Sequence, residues 1–292
     1  MLRHAAKKLL EEKNYEIFES TGCFDIAAKK KRFFLLKILK NIDALLFHHA
    51  HSLKALALSL NAFPFVIGER TNRERLEKNI VYERFGIPAV NLDTFELVLS
   101  GETSCVFRDR GGTYAEIHPE KLRNARKELG LTQRKLAQLA GVSPKTIYIH
   151  EKCFRRSPIS LIEKLEKILK RDIRNKSIAR REFEISSFPL EEFEKYVMEK
   201  FISLGFEALP VKKSPADIVA RESEIILSEV ETNVKRLKYR IERFEKFLEF
   251  TRCAGAVITE EIKKEFSIPV INRGELENVT TKHELLKLIK NY

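Results

Sequence analysis

Three carboxylates in the last third of the chain, Asp217, Glu229 and Glu231, have the types and spacing to hold a divalent cation. Residues 229 and 231 lie two apart in an apolar run that reads as a strand, so both side chains leave the same face. A donor set made only of oxygen suits Mg²⁺. A metal held there would act as a Lewis acid on a bound oxygen. A second group, near the middle of the chain, implies different chemistry. Thr132, Gln133, Arg134 and Lys135 open one helical segment, and Ser143, Pro144, Lys145 and Thr146, with Ile149 a turn later, open the next. Hydroxyls, amides and cations at two helix starts can hold phosphate, and a lysine in the first turn can reach a base edge.

Charge separates the two groups. The chain has 292 residues and a formal net charge of +12. Residues 118–176 carry 16 Lys and Arg against 6 Asp and Glu, whereas 1–117 have a net charge of +3 and 177–292 of −1. A compact basic module between two nearly neutral flanks is the footprint of one nucleic-acid-binding domain inside a larger protein. The length calls for more than one core. With 43% hydrophobic residues and only 11 Gly and 9 Pro, the chain is too apolar for disorder and too poor in Gly for collagen. Cys23, Cys105, Cys153 and Cys253 lie far apart, at no metal-ligand spacing, and are expected as reduced structural thiols. The amino terminus lacks the apolar stretch of a signal peptide, and no segment is long and apolar enough for a membrane span, so a cytoplasmic location is expected. His48, His49 and His51 have no carboxylate at helical ligand spacing and read as solvated.

The flanks repeat each other. Phe24-Asp25-Ile26-Ala27-Ala28-Lys29 returns as Ala216-Asp217-Ile218-Val219-Ala220-Arg221, and Phe33 to Ile42 falls on Ile225 to Val234 in the same register. Gly86-Ile87-Pro88-Ala89-Val90-Asn91 returns as Ser267-Ile268-Pro269-Val270-Ile271-Asn272, with about ten extra residues before it in the first copy. Each copy reads as a helix, three strands, a long helix and two further strands. In the second copy Val234, Leu237, Ile241, Phe244 and Leu248 make one apolar stripe on the long helix, and Lys235, Arg236, Lys238, Arg240, Arg243 and Lys246 are expected on a solvated face. Ile42, Leu46, His49, Leu53, Leu56 and Leu60 repeat the stripe in the first copy.

In the basic centre, residues 119–130 form an amphipathic segment ending in Gly130. Thr132 is placed to cap a second helix carrying Leu136, Ala137, Leu139 and Ala140. Gly141 gives the turn, Ser143 caps a third helix begun by Pro144 and anchored by Ile147, and Ser160 caps a fourth.

Leu131-Thr132-Gln133, Leu136-Ala137, Ala140-Gly141-Val142-Ser143 and Thr146-Ile147 followed by Glu151 resemble the Cro/repressor-type (XRE-like) helix-turn-helix family over about 55 residues. The resemblance implies that the third helix enters the major groove by its amino-terminal end, with Lys145 reading a base and Thr132, Gln133, Arg134 and Lys135 on phosphate. His150, and Lys152-Cys153-Phe154 after Glu151, depart from the pattern. The αβββαβ order, with Asp217, Glu229 and Glu231 on its strands, resembles the PD-(D/E)XK nuclease superfamily. In the first copy only Asp25 remains, with Lys37 and Leu39 at the other two positions, so that copy cannot form the metal site. Phe24 to Ala27, Leu35 to Asp43, Val66 to Thr71 and Val81 to Asn91, followed by the helix-turn-helix, resemble an archaeal family of HTH-type transcriptional regulators.

The expectation is therefore an α/β (α+β) chain. It has a degenerate nuclease-like domain at 1–105, a hairpin linker at 106–117, an all-α helix-turn-helix domain at 118–176 and a second nuclease-like domain at 183–292. Its expected partner is double-stranded DNA, bound by a homodimer, with an unidentified small-molecule or protein effector and no cofactor. The alternative is a Mg²⁺-dependent DNA nuclease with Asp217, Glu229 and Glu231 as ligands.

Overall fold

The computed structural model describes the chain except residues 103–105, 110, 177–184, 186–188, 233, 261–265 and 291–292, and gives the backbone alone at 109, 234–236, 238 and 239. In chain order the elements begin with α1 (Leu2–Glu12), β1 (Glu16–Glu19), β2 (Ile26–Lys29), β3 (Phe33–Asn41), α2 (Phe47–Ser59) and β4 (Phe63–Arg70). There follow β5 (Ile80–Arg84), β6 (Ile87–Val90), α3 (Leu92–Ser100), β7 (Val106–Asp109) and β8 (Gly112–Ile117). The central helices are α4 (Pro119–Glu128), α5 (Gln133–Ala140) and α6 (Pro144–Lys152), then β9 (Arg155–Pro158) and α7 (Ile159–Leu169). The last part holds α8 (Glu192–Ser203), β10 (Glu207–Pro210), β11 (Ile218–Arg221), β12 (Ile225–Val230), α9 (Val234–Thr251), β13 (Ala254–Thr259), β14 (Val270–Asn272), α10 (Arg273–Asn278) and α11 (Lys282–Lys290).

Two compact units result. The first gathers Met1–Ile38, Ala44–Val66 and Glu182–Tyr292, and the second Leu39–Asp43 and Ile67–Arg181. Strands β3 and β4 are divided between them.

In the first unit the repeat is visible as geometry. Strands β10-β11-β12-β13-β14 form a sheet in that order, antiparallel until β12 and parallel from β12 to β14. The antiparallel pairs β1-β2 and β2-β3 reproduce its first half. Asp25 and Asp217 make the same bond: each carboxylate accepts from a backbone N–H thirteen residues on, that of Ile38 at 2.7 Å and that of Val230 at 3.0 Å. Phe193, Val197 and Phe201 of α8 pack with Ile218, Ile226, Ala256 and Ile258 of the sheet in the core of the second copy.

The two copies pack on each other inside this unit. The expected stripe on the first long helix fails. Leu46 is exposed and precedes α2, Ile42 lies in a separate 3₁₀ turn, and α2 is buried on nearly every side, through Ala50, His51, Ser52, Leu53, Ala55, Leu56, Ala57 and Ser59. Its far side touches β10 and β11 of the second copy. His51 is thus a buried residue rather than a solvated one. In return, Phe247 of α9 packs at a tilt against Phe18 and Phe24, and Phe250 at a tilt against Phe18 and edge-on against Phe33. The loops before β2 and β11 meet as well: the Cys23 N–H donates to the Lys213 carbonyl at 2.6 Å, and the Lys212 N–H to Ser52 Oγ at 2.8 Å.

In the second unit a sheet runs β6-β5-β7-β8-β9. Strands β7 and β8 pair antiparallel, with Asp109 opposite Gly112. Strand β8 carries the helix-turn-helix: β9, the segment between α6 and α7, pairs with β8, and Ala115 and Ile117 enter the same core as Leu122, Leu136, Ile147, Ile162 and Leu165. Ser160 does not cap α7, because the cap position falls two residues earlier, on Pro158 at the end of β9, and the helix starts at Ile159. His150 fits its core position by bonding Ser157 Oγ through Nε2 at 2.8 Å. Cys23, Cys153 and Cys253 are free thiols, and among the described residues no helix is long and apolar enough to cross a membrane.

The meeting of the two copies is testable at Gly22, whose φ is +129° and where a Cβ would stand 1.9 Å from the Lys213 carbonyl oxygen. Gly22→Ala should lower the melting midpoint, costing at least about 1–3 kcal/mol for the backbone conformation alone. An unchanged midpoint would mean that these loops do not touch.

Candidate nucleic-acid interface and a closed carboxylate site

The caps expected around the turn are formed. Thr132 accepts from the Lys135 N–H at 3.1 Å at the start of α5, and Gly141 ends it with φ +72°. Ser143 accepts from the Thr146 N–H at 3.2 Å, with Pro144 at the first position of α6. Behind the turn sits a buried carboxylate. Glu151 of α6 receives Arg126 Nη2 at 3.0 Å and Gln133 Nε2 at 2.8 Å, while its carbonyl takes Arg123. Burial pushes the Glu151 carboxyl up, but the Arg126 and Gln133 bonds outweigh it and hold the group below its ordinary value. Glu151 thereby ties α4, α5 and α6 together. Gln133 has its side-chain nitrogen engaged inside the domain.

Arg134, Lys135, Ser143, Pro144 and Lys145 are exposed, Thr132 is exposed at its cap, and Thr146 and Ile149 are half-buried. The core side of α6 is Ile147, His150 and Glu151. Its outer side presents Lys145 together with Tyr148 and Lys152, both exposed, with the Lys152 ammonium 5.7 Å from the Tyr148 ring centroid. Sequence reading missed Tyr148 and Lys152, although steps of three and four from Lys145 place them on one face. The surface is a stack of donors and cations around two helix starts, suited to phosphate and base edges.

The three carboxylates of the other group do come together, but around a cation of the chain itself. Arg240 of α9 donates through Nη2 to Asp217 at 2.8 Å and to Glu229 at 2.9 Å, and its Nη1 lies 3.7 Å from Glu231. Asp217, Glu229 and Glu231 are all at least nine-tenths buried. Burial and mutual repulsion push the Glu229 carboxyl up, and burial pushes Asp217 up against the pull of Arg240. The first copy is closed in its own way: Lys37, at the position of Glu229, donates to Asp25 at 3.3 Å and to the Gly22 carbonyl at 2.7 Å. A divalent cation needs oxygens free to turn to it. Here a guanidinium pairs with all three carboxylates. Among the described residues no cluster of three or more His, Cys, Asp or Glu is disposed to hold a metal. Arg240 and Arg243, expected on a solvated face, therefore turn inward. Lys246 is exposed beside Glu242, and the side chains of 234–236 and 238 lie outside the described residues.

A carboxyl raised by burial keeps its proton in the folded state and loses it in the unfolded chain. Its stabilising effect is complete below the ordinary value of 4.5 and fades as pH rises towards the folded value. Glu229→Gln has no proton to lose and still accepts from Arg240. It should match wild type near pH 4 and raise the melting midpoint at pH 8. Arg240→Met, which strands the carboxylates, should cost about 3 kcal/mol at pH 8, the low end of the range for a broken buried pair because the guanidinium is a third exposed. A loss of stability in Glu229→Gln at pH 8, or none in Arg240→Met, would contradict this arrangement.

Comparison with known proteins bears on the first αβ copy and on the helix-turn-helix. The family described as PD-(D/E)XK superfamily domain matches residues 1–104, and the family described as Helix-turn-helix matches residues 122–174. Proteins named "Putative HTH-type transcriptional regulatory protein" match nearly end to end. The one from Methanocaldococcus jannaschii is 30% identical over 97% of this chain and 94% of its own length. That from Thermococcus kodakarensis is 34% identical over 92% and 87%, and that from Methanothermobacter thermautotrophicus 34% over 97% and 93%. No solved structure matches the chain. The chain belongs to this archaeal family of HTH-type transcriptional regulatory proteins.

Proposed function

We propose that the protein is a sequence-specific DNA-binding transcription regulator that reads the major groove with the amino-terminal end of α6. The observation that carries this reading is the capped, outward-facing start of α6, with Lys145 exposed, inside the one segment that holds +10 of the net charge of +12. Lys145 is assigned to a base edge, with Pro144, Thr146 and Ile149 beside it. Thr132, Arg134, Lys135, Ser143 and the backbone N–H of Gln133 are assigned to phosphate. Two chains would read half-sites about 34 Å apart. The faces on which the αβ copies pack are spent within one chain, so a homodimer would use others. The αβ copies are assigned a non-catalytic part, which the Arg240 and Lys37 ion pairs support.

Lys145→Ala should relax base preference at one position of the selected site and cost about 1–3 kcal/mol there. Arg134→Ala and Lys135→Ala should weaken binding to every sequence, and each should flatten the dependence of log K on log salt by about one unit. Selection from random DNA and binding titrations across salt check both. An unchanged motif in Lys145→Ala would remove that residue from base reading.

A further inference from the structure

The two αβ copies enclose a cavity of about 530 Å³ within the first unit, bounded by the loop Thr21-Gly22 on one side and by Lys212, Lys213, Ser214, Thr232 and α9 on the other. This is within the size range of small-molecule pockets. Of the carboxylates in and behind its wall, Asp217, Glu229 and Glu231 pair with Arg240 and Glu194 with Lys212, while Glu191 caps the start of α8.

Two further cations, Arg243 and Lys213, line the cavity. Arg243 is half-buried. One of its nitrogens donates to Ser20 Oγ and the Thr21 carbonyl, and its Nε is buried with no hydrogen-bond partner. Neither Arg243 nor Lys213 has an ion pair among the described residues. Lys213 is exposed at the cavity wall, on a left-handed backbone (φ +54°) that a lysine adopts only at a cost. An arginine left without its counter-charge in a partly dry site is costly, and a bound oxyanion would supply that charge through strong charge-assisted bonds. Thr21 and Thr232 add hydroxyls, one from each side of the cavity. In the first copy the matching positions, 192 residues earlier, are His51 and Thr21, neither of which carries a fixed charge.

We propose that this cavity binds a small phosphate monoester, anchored by Arg243 and Lys213, as the effector of the protein. The effector role rests on the regulator reading above, but binding itself does not. A ligand spanning the wall from Thr21 to Arg243 and Lys213 touches both copies, so it would change how tightly they pack.

Titration calorimetry of the full chain with AMP, adenosine and inorganic phosphate, in buffer free of phosphate and without DNA, tests the site. AMP is expected to bind saturably at one site per chain, phosphate more weakly, and adenosine not at all. Arg243→Gln and Lys213→Asn should each weaken AMP at least tenfold, and Arg243→Lys less than Arg243→Gln. Asn tolerates the left-handed backbone, so Lys213→Asn keeps the fold while removing the charge. Lys145→Ala should bind AMP as wild type does. No saturable AMP binding, adenosine binding as well as AMP, or a loss in Lys145→Ala matched by none in Lys213→Asn would overturn the proposal. None of these results would bear on whether the helix-turn-helix reads DNA.

Discussion

A helix as apolar as α2 has no face to give to water, and that constraint organises the first unit. Ala50, His51, Ser52, Leu53, Ala55, Leu56, Ala57 and Ser59 point in every direction around its axis and all are buried. One sheet covers one side of such a helix, so the second copy must cover the other. The exchange is reciprocal, since α9 lays Phe247 and Phe250 on Phe18, Phe24 and Phe33 of the first copy. The close approach of Gly22 to Lys213, and the cavity beside them, follow from two repeated domains packed as partners.

That packing also places α9 where Arg240 can enter its own sheet. Carboxylates at Asp217, Glu229 and Glu231 without a counter-charge would be untenable in so buried a site. Each copy meets this need with a cation of its own, Lys37 from a strand and Arg240 from a helix. The buried carboxylates of both copies are thus paired within the chain. The same economy of charge operates in the second unit, where Glu151 is buried under Arg126 and Gln133 and fixes three helices.

The helix-turn-helix was legible in the sequence because its signals are local. Thr132, Gly141, Ser143 and Pro144 act on backbone groups within three residues, so their types alone place the helix ends. The repeat was legible because an Asp immediately precedes both β2 and β11, and that Asp makes the same bond in both. Contacts made at long range were not legible. The inward turn of Arg240 depends on residues 23 and 11 positions away, and a charged helix face reads as solvated unless its partners are known. The all-round burial of α2 depends on β10 and β11, about 160 residues on. Lys152-Cys153-Phe154 gave notice of an unusual loop, but only the pairing of β9 with β8 explains it. Gln133 looked free for phosphate because nothing in its spacing reveals the bond to Glu151.

The central claim is that this chain reads DNA through its basic centre and leaves it intact. A genome-wide map of DNA bound by the protein in its source organism, with strand breaks scored at the same positions, tests it most directly. The account predicts discrete sites near promoters that share one motif and carry no breaks. Even coverage without a motif, or breaks at the bound sites, would contradict it.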